Sequence, residues 1–162
     1  MYYESTLYLP SPIGCLTLKL YDGVLVSLSI SDEFSEKEKI LENKPDNPAV
    51  NKLLLALNKY FDSASPLFIL PLEAKGTDFQ QAVWNELSQI PLGETRTYGD
   101  ISDKLNSSPR AVGNACRKNP IAIIIPCHRV VSAKGVGGYA GETRGRQINI
   151  KRWLLSHEGV VL

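Results

Sequence analysis

The sequence predicts an α/β domain with an antiparallel sheet, followed by a mostly helical domain. Three observations lead to this prediction. Apolar residues alternate with period two through the first thirty positions, as in half-buried strands, and they recur at helical spacing from Thr77 onward. Residues 62–75 separate the two patterns and hold two prolines without a clear period. We therefore expect one domain over residues 1–74 and a second over residues 75–162.

Three strands and a helix are predicted for the first domain. The strands are expected over residues 5–9, 16–20 and 24–30. Short turns join them, and the second turn contains Asp22-Gly23, a dipeptide favoured in two-residue hairpin loops. Strands connected so tightly pair antiparallel. Leucine and aromatic residues at helical spacing then predict a helix over residues 51–61.

The second domain begins with helices that have clear start signals. Thr77 and Gln80 form a capping-box signature in front of an amphipathic stretch. A short helix beginning at Thr97, a tight turn over residues 106–108 and a helix from Pro109 to about residue 118 together form a helix-turn-helix pattern.

Two further elements complete the second domain. The apolar run of residues 121–125 predicts a buried extended segment, which Pro126 ends. A last amphipathic helix is expected near residues 148–158, with Ile150, Trp153 and Leu154 facing inward. Gly159 is expected to close that helix.

The distribution of charge suggests a nucleic-acid-binding face. The net charge is only +1, but residues 96–152 hold eleven basic side chains against three acidic ones. Such an excess is what a surface that faces a phosphate backbone produces. A solvated surface with a chance imbalance is the alternative.

Cysteine content and hydropathy indicate the cellular setting. Three widely spaced cysteines, Cys15, Cys116 and Cys127, fit neither a disulfide framework nor a zinc site. No run approaches the length of about 18 apolar residues that spans a membrane, and the first residues lack the order of a signal peptide. We therefore expect free thiols, no metal, no membrane association and a soluble protein of the reducing cytoplasm.

Cys127 is the candidate reactive thiol. A free thiol has a pKa of about 8.5, so it needs a cationic neighbour or a general base to form the thiolate at neutral pH. His128 and Arg129 follow directly in the sequence, and Glu158 is the candidate that orients the base, with Asp100 as second choice. The alternative is a buried cysteine that packs as a small apolar side chain.

The segment Ile125-Pro126-Cys127-His128-Arg129-Val130-Val131 resembles the active-site motif of the O6-alkylguanine-DNA alkyltransferases, also called methylated-DNA–protein-cysteine methyltransferases. Further matches occur in the family's order at residues 97–101, 108–113, 118–120, 138–139 and 153–159. The resemblance is dense from about residue 77 to residue 159, half of the chain, and loose before it. Residues 140–152 form a longer segment than many members have, which leaves the rim of the pocket and its alkyl-size preference open.

The resemblance implies catalytic roles for five residues. Cys127 is the implied alkyl acceptor, His128 is implied to activate it through a water molecule, and Glu158 to orient His128. Asn119 is implied to brace the turn beside the active site. Tyr98 is implied to rotate the target phosphate and to hydrogen-bond the guanine ring.

A DNA face and a pocket are implied as well. Arg110 resembles the finger that enters the duplex where the flipped base was. The other residues expected on the DNA face are Tyr98, Ala111, Gly113, Ala115, Arg117 and Arg129. Small side chains on this helix suit a minor groove about 6 Å wide. Pocket lining is implied for Val130, Tyr139 and, through its backbone N–H, Ala140.

For fold and function, the resemblance implies a ribonuclease-H-like first domain and a winged-helix-like helix-turn-helix in the second. The implied function is DNA repair by irreversible, stoichiometric transfer of an alkyl group from O6-alkylguanine, and from O4-alkylthymine, to Cys127. The target base would first flip out of double-stranded DNA. A monomer without cofactor or obligate protein partner is expected, in the cytoplasm or, in a eukaryote, the nucleus.

Two other classes of function are alternatives. Alkyltransferase-like proteins bind alkylguanine DNA without transfer, but they usually replace the cysteine with tryptophan, so Cys127 disfavours this class. A helix-turn-helix transcription regulator would leave the Pro126-Cys127-His128-Arg129 motif unexplained.

Overall fold

The chain divides into two compact units. The computed structural model describes residues 4–32, 47–66 and 71–161. One unit comprises residues 1–74 together with residues 120–122, and the other comprises residues 75–119 and 123–162. Residues 67–70 of the predicted junction lie outside the described residues. None of the helices in the described ranges has the length and apolar character needed to cross a membrane.

An antiparallel sheet forms the centre of the first unit. Its strands are β1 (Glu4–Ser11), β2 (Gly14–Tyr21) and β3 (Val24–Ser31), in the order β1-β2-β3. Asp22 and Gly23 both have positive φ angles, 49° and 83°, as the predicted two-residue hairpin loop requires. Leucines at every second position of β2 are buried, so one face of the sheet packs into the core. The predicted antiparallel sheet is confirmed.

Helix α1 (Pro48–Ser63) completes the first unit and is longer than the predicted helix over residues 51–61. The Asn47 side chain accepts a hydrogen bond from the Ala49 N–H at 2.8 Å, and Pro48 occupies the first helical position. These capping signals precede the first buried leucine, so hydrophobic spacing alone placed the start too late. Residues outside α1 and the sheet also join this unit, since Ile121 makes a parallel bridge to Leu28.

Within its described residues, the second unit contains four α-helices: α2 (Asp78–Ser88), α3 (Tyr98–Lys104), α4 (Pro109–Arg117) and α5 (Arg146–His157). Capping boxes begin α2 at Thr77 and α3 at Thr97, and the Ser108 side chain caps α4. The predicted start signals are therefore confirmed. Two short strands that were not predicted, β4 (Arg96–Thr97) and β5 (Val130–Val131), pair in parallel.

The predicted extended segment over residues 121–125 was wrong. Only Ile121 makes a bridge, while residues 122–124 form a turn in which Ile123 has a φ of 72°. Ile121, Ile123 and Ile125 are all buried. Apolar composition therefore reflects a buried turn, which hydrophobicity alone does not distinguish from a buried strand.

The inward face of α5 also differs from the prediction. Ile150 and Leu154 are buried as expected, but Trp153 is half-buried and stacks on His157, with ring centroids 4.6 Å apart. Lys151 lies on the buried face instead. Helix phase explains the exchange, because residues 151 and 154 are three positions apart and share a face that residue 153 does not.

We expect Ser108→Ala to lower the free energy of unfolding by about 1 kcal/mol, since the N-terminus of α4 loses its side-chain cap. Urea denaturation would measure the change. Ser107→Ala, at an exposed position one residue earlier, is the matched control and should leave stability almost unchanged. Equal effects of the two substitutions would contradict a capping role for Ser108.

Candidate active site

Cys127 lies at the start of a single 3₁₀ turn, Cys127–Arg129, between the buried isoleucine turn and β5. Its side chain lines a cavity of about 470 Å³, and only 8% of the residue is exposed. The Cys127 N–H donates to the Ile125 carbonyl at 2.8 Å, and the Asn119 Nδ2 donates to the same carbonyl at 2.8 Å. Asn119 thus braces the turn that presents the thiol, at the place expected from the sequence.

The electrostatic surroundings keep the Cys127 thiol protonated. Burial raises the pKa of this thiol above its usual value, while a hydrogen bond from Asn119 and the nearby Lys151 ammonium oppose that rise only in part. A neutral thiol is a poor nucleophile. A group that removes the proton is therefore required for any attack by Cys127.

His128 is fully buried and has one of its two ring nitrogens bound. The distance from His128 Nε2 to Glu158 Oε2 is 2.7 Å. Burial lowers the pKa of His128 more than Glu158 raises it, so the imidazole is neutral and Nε2 donates to the carboxylate. Nδ1 then carries a lone pair, and it has no hydrogen-bond partner within the described part of the chain. His128 is thus oriented as a base.

Glu158 also binds Arg129, which corrects the expected DNA contact of that arginine. The Arg129 Nε donates to Glu158 Oε1 at 2.7 Å, and Nη1 donates to the Ile90 carbonyl at 2.8 Å. Its side chain is only 11% exposed, so the guanidinium holds the carboxylate rather than facing a duplex. Asp100, the second choice for orienting His128, instead accepts from the Thr97 N–H at the start of α3.

Two tyrosines line the cavity beside the thiol. The Tyr98 hydroxyl donates to the Gly138 carbonyl at 3.2 Å, and burial raises the pKa of Tyr98 to about 12. Tyr139 is buried and hydrogen-bonds the Cys127 thiol, and burial raises its pKa well above the usual value. Both phenols are neutral at physiological pH and can donate protons or hydrogen bonds to a bound group.

The rim of the cavity includes Ala140, as expected, but not Val130. Ala140 and Gly141 have φ angles of 49° and 83° and occupy the tip of a tight turn. In such a turn the N–H of the first tip residue is not used by the turn itself, so it is free to face the cavity. Val130 is fully buried in β5 and does not line the cavity, because its strand pairs with β4 behind the thiol-bearing turn.

Helix α4 presents a mixed surface next to the cavity. Arg110 is exposed and lines the cavity together with Gly113, and Ala111 is half-buried. Ala115 was expected on the open face, but it is only 2% exposed and its carbonyl accepts from the Trp84 indole N–H at 2.9 Å. It packs against α2, because residues 112 and 115 share the inward face.

Three comparisons with known proteins agree with this geometry. Residues 78–160 match the family model described as 6-O-methylguanine DNA methyltransferase, DNA binding domain. The methylated-DNA–protein-cysteine methyltransferase of Mycobacterium tuberculosis is 44% identical over 91% of this chain and 88% of its own length. The chain belongs to the methylated-DNA–protein-cysteine methyltransferase family.

Solved structures support the same assignment. A crystal structure of Mycobacterium tuberculosis O6-methylguanine methyltransferase has a TM-score of 0.79 and 41% identity, and covers 96% of this chain and 93% of its own. A crystal structure of Mycobacterium tuberculosis OGT in complex with DNA has a TM-score of 0.77 and 43% identity, with 94% and 91% covered. The α/β fold of this methyltransferase family member is therefore that of solved methyltransferases.

Lys151 is a site residue of this methyltransferase family member that the sequence analysis missed. Its Nζ donates to the carbonyls of Val130 at 2.5 Å and Gly138 at 2.9 Å and lies 5.8 Å from the centre of the Tyr98 ring. Burial lowers the pKa of Lys151 to about 8. Its position three residues after Ile148 and three before Leu154, both buried, was the available signal for an inward-facing lysine.

Cys116 also lines the cavity, although the sequence predicted only that it is a free thiol. Burial and the proximity of Cys127 raise the pKa of Cys116 to about 12, so this thiol stays protonated. Across the described ranges, no three His, Cys, Asp or Glu side chains are grouped so that they could hold a metal ion. Cys127 therefore remains the candidate reactive thiol of this family member.

We expect Lys151→Met to slow S-alkylation of Cys127 by iodoacetamide, and more strongly at about pH 7 than at about pH 9.5. The Lys151 ammonium is mostly charged at the lower pH, where it lowers the pKa of Cys127, and mostly neutral at the higher pH. Each pKa unit changes the thiolate fraction about tenfold. Peptide mapping would give the rate at Cys127, with exposed Lys134→Met as control. A ratio of rates independent of pH would exclude this electrostatic role.

Proposed function

We propose that the protein repairs DNA by moving an alkyl group from the O6 atom of guanine to the Cys127 sulfur. The observation that carries the proposal is a buried thiol at the wall of a cavity, next to a neutral imidazole that Glu158 holds in one orientation. Membership of the family and the names of its relatives support the same reaction. The cavity volume of about 470 Å³ falls within the range of small-molecule sites, which suits a single extruded base.

Proton removal from Cys127 begins the proposed reaction. His128 Nδ1 takes the proton through a bridging water, which agrees with its lack of a partner among the described residues. The imidazolium that forms is stabilised by the Glu158 carboxylate, which Arg129 holds in place. The charge produced by the proton transfer therefore has a partner already in position.

Alkyl transfer follows as an in-line displacement. The Cys127 sulfur forms a bond to the alkyl carbon while the bond from that carbon to guanine O6 breaks. Guanine leaves with the electron pair of that bond and takes a proton, which we assign to the Tyr98 hydroxyl. With a pKa of about 12, this phenol still carries its proton at neutral pH. The product on Cys127 is a thioether.

The thioether is not readily hydrolysed, so the Cys127 thiol is not regenerated and each protein molecule acts once. The same chemistry suits O4-alkylthymine, whose alkyl oxygen leaves in the same manner. A thiol used once must also stay reduced until it meets a lesion, which supports a reducing compartment such as the cytoplasm. We propose action as a monomer without a cofactor, since displacement by sulfur at the alkyl carbon needs only the thiol, the base and the proton donor named above.

Double-stranded DNA is the proposed partner. The eleven basic side chains among residues 96–152 favour the phosphate backbone, and the matched family model is a DNA-binding domain. A base must leave the stack to reach the buried thiol, at a cost of a few kcal/mol. Arg110 at the exposed start of α4 would fill the vacated space, with Gly113 allowing close approach to the minor groove.

Finer features of the fold are part of the proposal. We assign the first domain, residues 1–74, to the ribonuclease-H-like architecture, supported by its antiparallel sheet followed by a helix. We assign the second, residues 75–162, to a winged-helix-like arrangement, supported by α3 and α4. Within the family, a non-transferring alkylguanine-binding protein is the alternative, and Cys127 disfavours it.

Incubation with duplex DNA containing O6-methylguanine should add one methyl group per protein molecule, on Cys127. Mass spectrometry of the intact protein and of its peptides would measure this. Cys127→Ala should abolish the addition, because Cys15 is buried and does not line the cavity, and the half-buried Cys116 keeps its proton with a pKa of about 12. A label on either of those cysteines, or turnover of excess substrate, would overturn the proposal.

We expect Arg110→Ala to lower the transfer rate far more with duplex DNA than with free O6-benzylguanine. A side chain that fills the space left by a flipped base is not needed when the base is already free in solution. Single-turnover rates on both substrates would measure the difference, and the salt slope of duplex binding should fall by no more than about one. If both substrates slow by the same factor, Arg110 is not an intercalating finger.

A further inference from the structure

We propose that Arg117 is a positioning residue of the cavity, which holds the turn over residues 139–142 against the end of α4. The sequence suggested instead that Arg117 contacts DNA. The proposal rests on the alkyl-transfer function above, because it concerns how the same cavity receives the base. Arg117 and Gly141 both line that cavity.

The contact between Arg117 and Gly141 is close. A Cβ atom at Gly141 would stand 2.8 Å from Arg117 Nε, 3.2 Å from Cζ and 3.3 Å from Cδ. Approaches below about 3 Å do not occur for real Cβ atoms, so the guanidinium lies on the face of Gly141 where a side chain would project. The φ of 83° at Gly141 is a second reason for glycine at this position.

The turn that Arg117 contacts carries two residues that line the cavity, Tyr139 and Ala140. Tyr139 and Glu142 bind each other through both backbone pairs, at 2.8 and 2.9 Å, so the turn moves as a unit. Tyr139 hydrogen-bonds the Cys127 thiol, and Ala140 lines the cavity. A shift of the turn would therefore displace both the Tyr139 hydroxyl and the Ala140 N–H relative to a bound base.

Helix geometry connects this contact with the duplex-facing end of α4. Arg117 follows Arg110 by seven residues, almost two helical turns, so both side chains leave α4 on the same side. A phosphate contact would require only the positive charge of Arg117. The flat contact with Gly141 requires the planar guanidinium, which lysine does not replace. The two roles therefore differ in what Arg117→Lys should do.

Saturation kinetics with free O6-benzylguanine separate the two roles, because no phosphate is present. We expect Arg117→Ala to lower the transfer efficiency about 10- to 100-fold, mainly by raising the half-saturating concentration, since small misplacements of a bound group are costly. Arg117→Lys should show most of the same loss of transfer efficiency. Lys118→Ala, at the neighbouring exposed cation, is the matched control and should behave as wild type with the free base.

Gly141→Ala tests the contact from the other side. It should lower the same efficiency, partly through backbone strain at the positive φ and partly through the clash with Arg117. Only the clash disappears when Arg117 is also replaced, so the double variant with Arg117→Ala should lose less than the two single losses combined. Additive losses would contradict the contact. Wild-type rates for Arg117→Ala on the free base, with a duplex defect that Arg117→Lys restores, would show a phosphate contact and overturn the proposal. Absence of transfer by the wild-type protein would instead overturn the proposed function, and the positioning role with it.

Discussion

The carboxylate of Glu158 is the group on which the site and the fold both depend. It accepts one hydrogen bond from His128 and another from Arg129, each at 2.7 Å, and its side chain is fully buried. Removing one member of a buried charged network is strongly destabilising, because the remaining charge has neither water nor a partner. The two bonds also join the end of α5 to the 3₁₀ turn that bears Cys127. The same buried carboxylate therefore orients the His128 imidazole and fixes the end of α5.

The single 3₁₀ turn explains why three consecutive side chains, those of residues 127–129, point in different directions. With three residues per turn, successive side chains point about 120° apart. Cys127 faces the cavity, His128 faces Glu158 in the interior, and Arg129 reaches Ile90 and Glu158. Residues adjacent in the sequence therefore do not have stacked side chains, which agrees with the proposed transfer of the Cys127 proton to His128 through a water molecule.

Local signals predicted most of the elements, and long-range contacts account for the differences. Thr77, Thr97 and the Ser108-Pro109 pair act on the backbone within three residues, so their pattern is visible in one stretch of sequence. The burial of residues 121–125 comes from partners that are distant in sequence, and composition does not show whether such a run turns. Arg129 and Lys151 were misjudged or missed because a charged side chain is normally solvated. Their burial depends on an acceptor about 30 residues away for Arg129 and about 20 residues away for Lys151.

The bridge between Ile121 and Leu28 has a consequence for synthesis of the chain. Residues 120–122 complete the first unit, although residues 75–119 of the second unit precede them in the sequence. A nascent chain therefore cannot finish the first unit when residue 74 leaves the ribosome. At a synthesis rate of about 5–20 residues per second, roughly 2 to 10 s pass before residues 120–122 become available to pair with the edge of β3. An exposed strand edge is a site of mispairing, so during this interval the β3 edge of the growing chain is open to pairing with other strands.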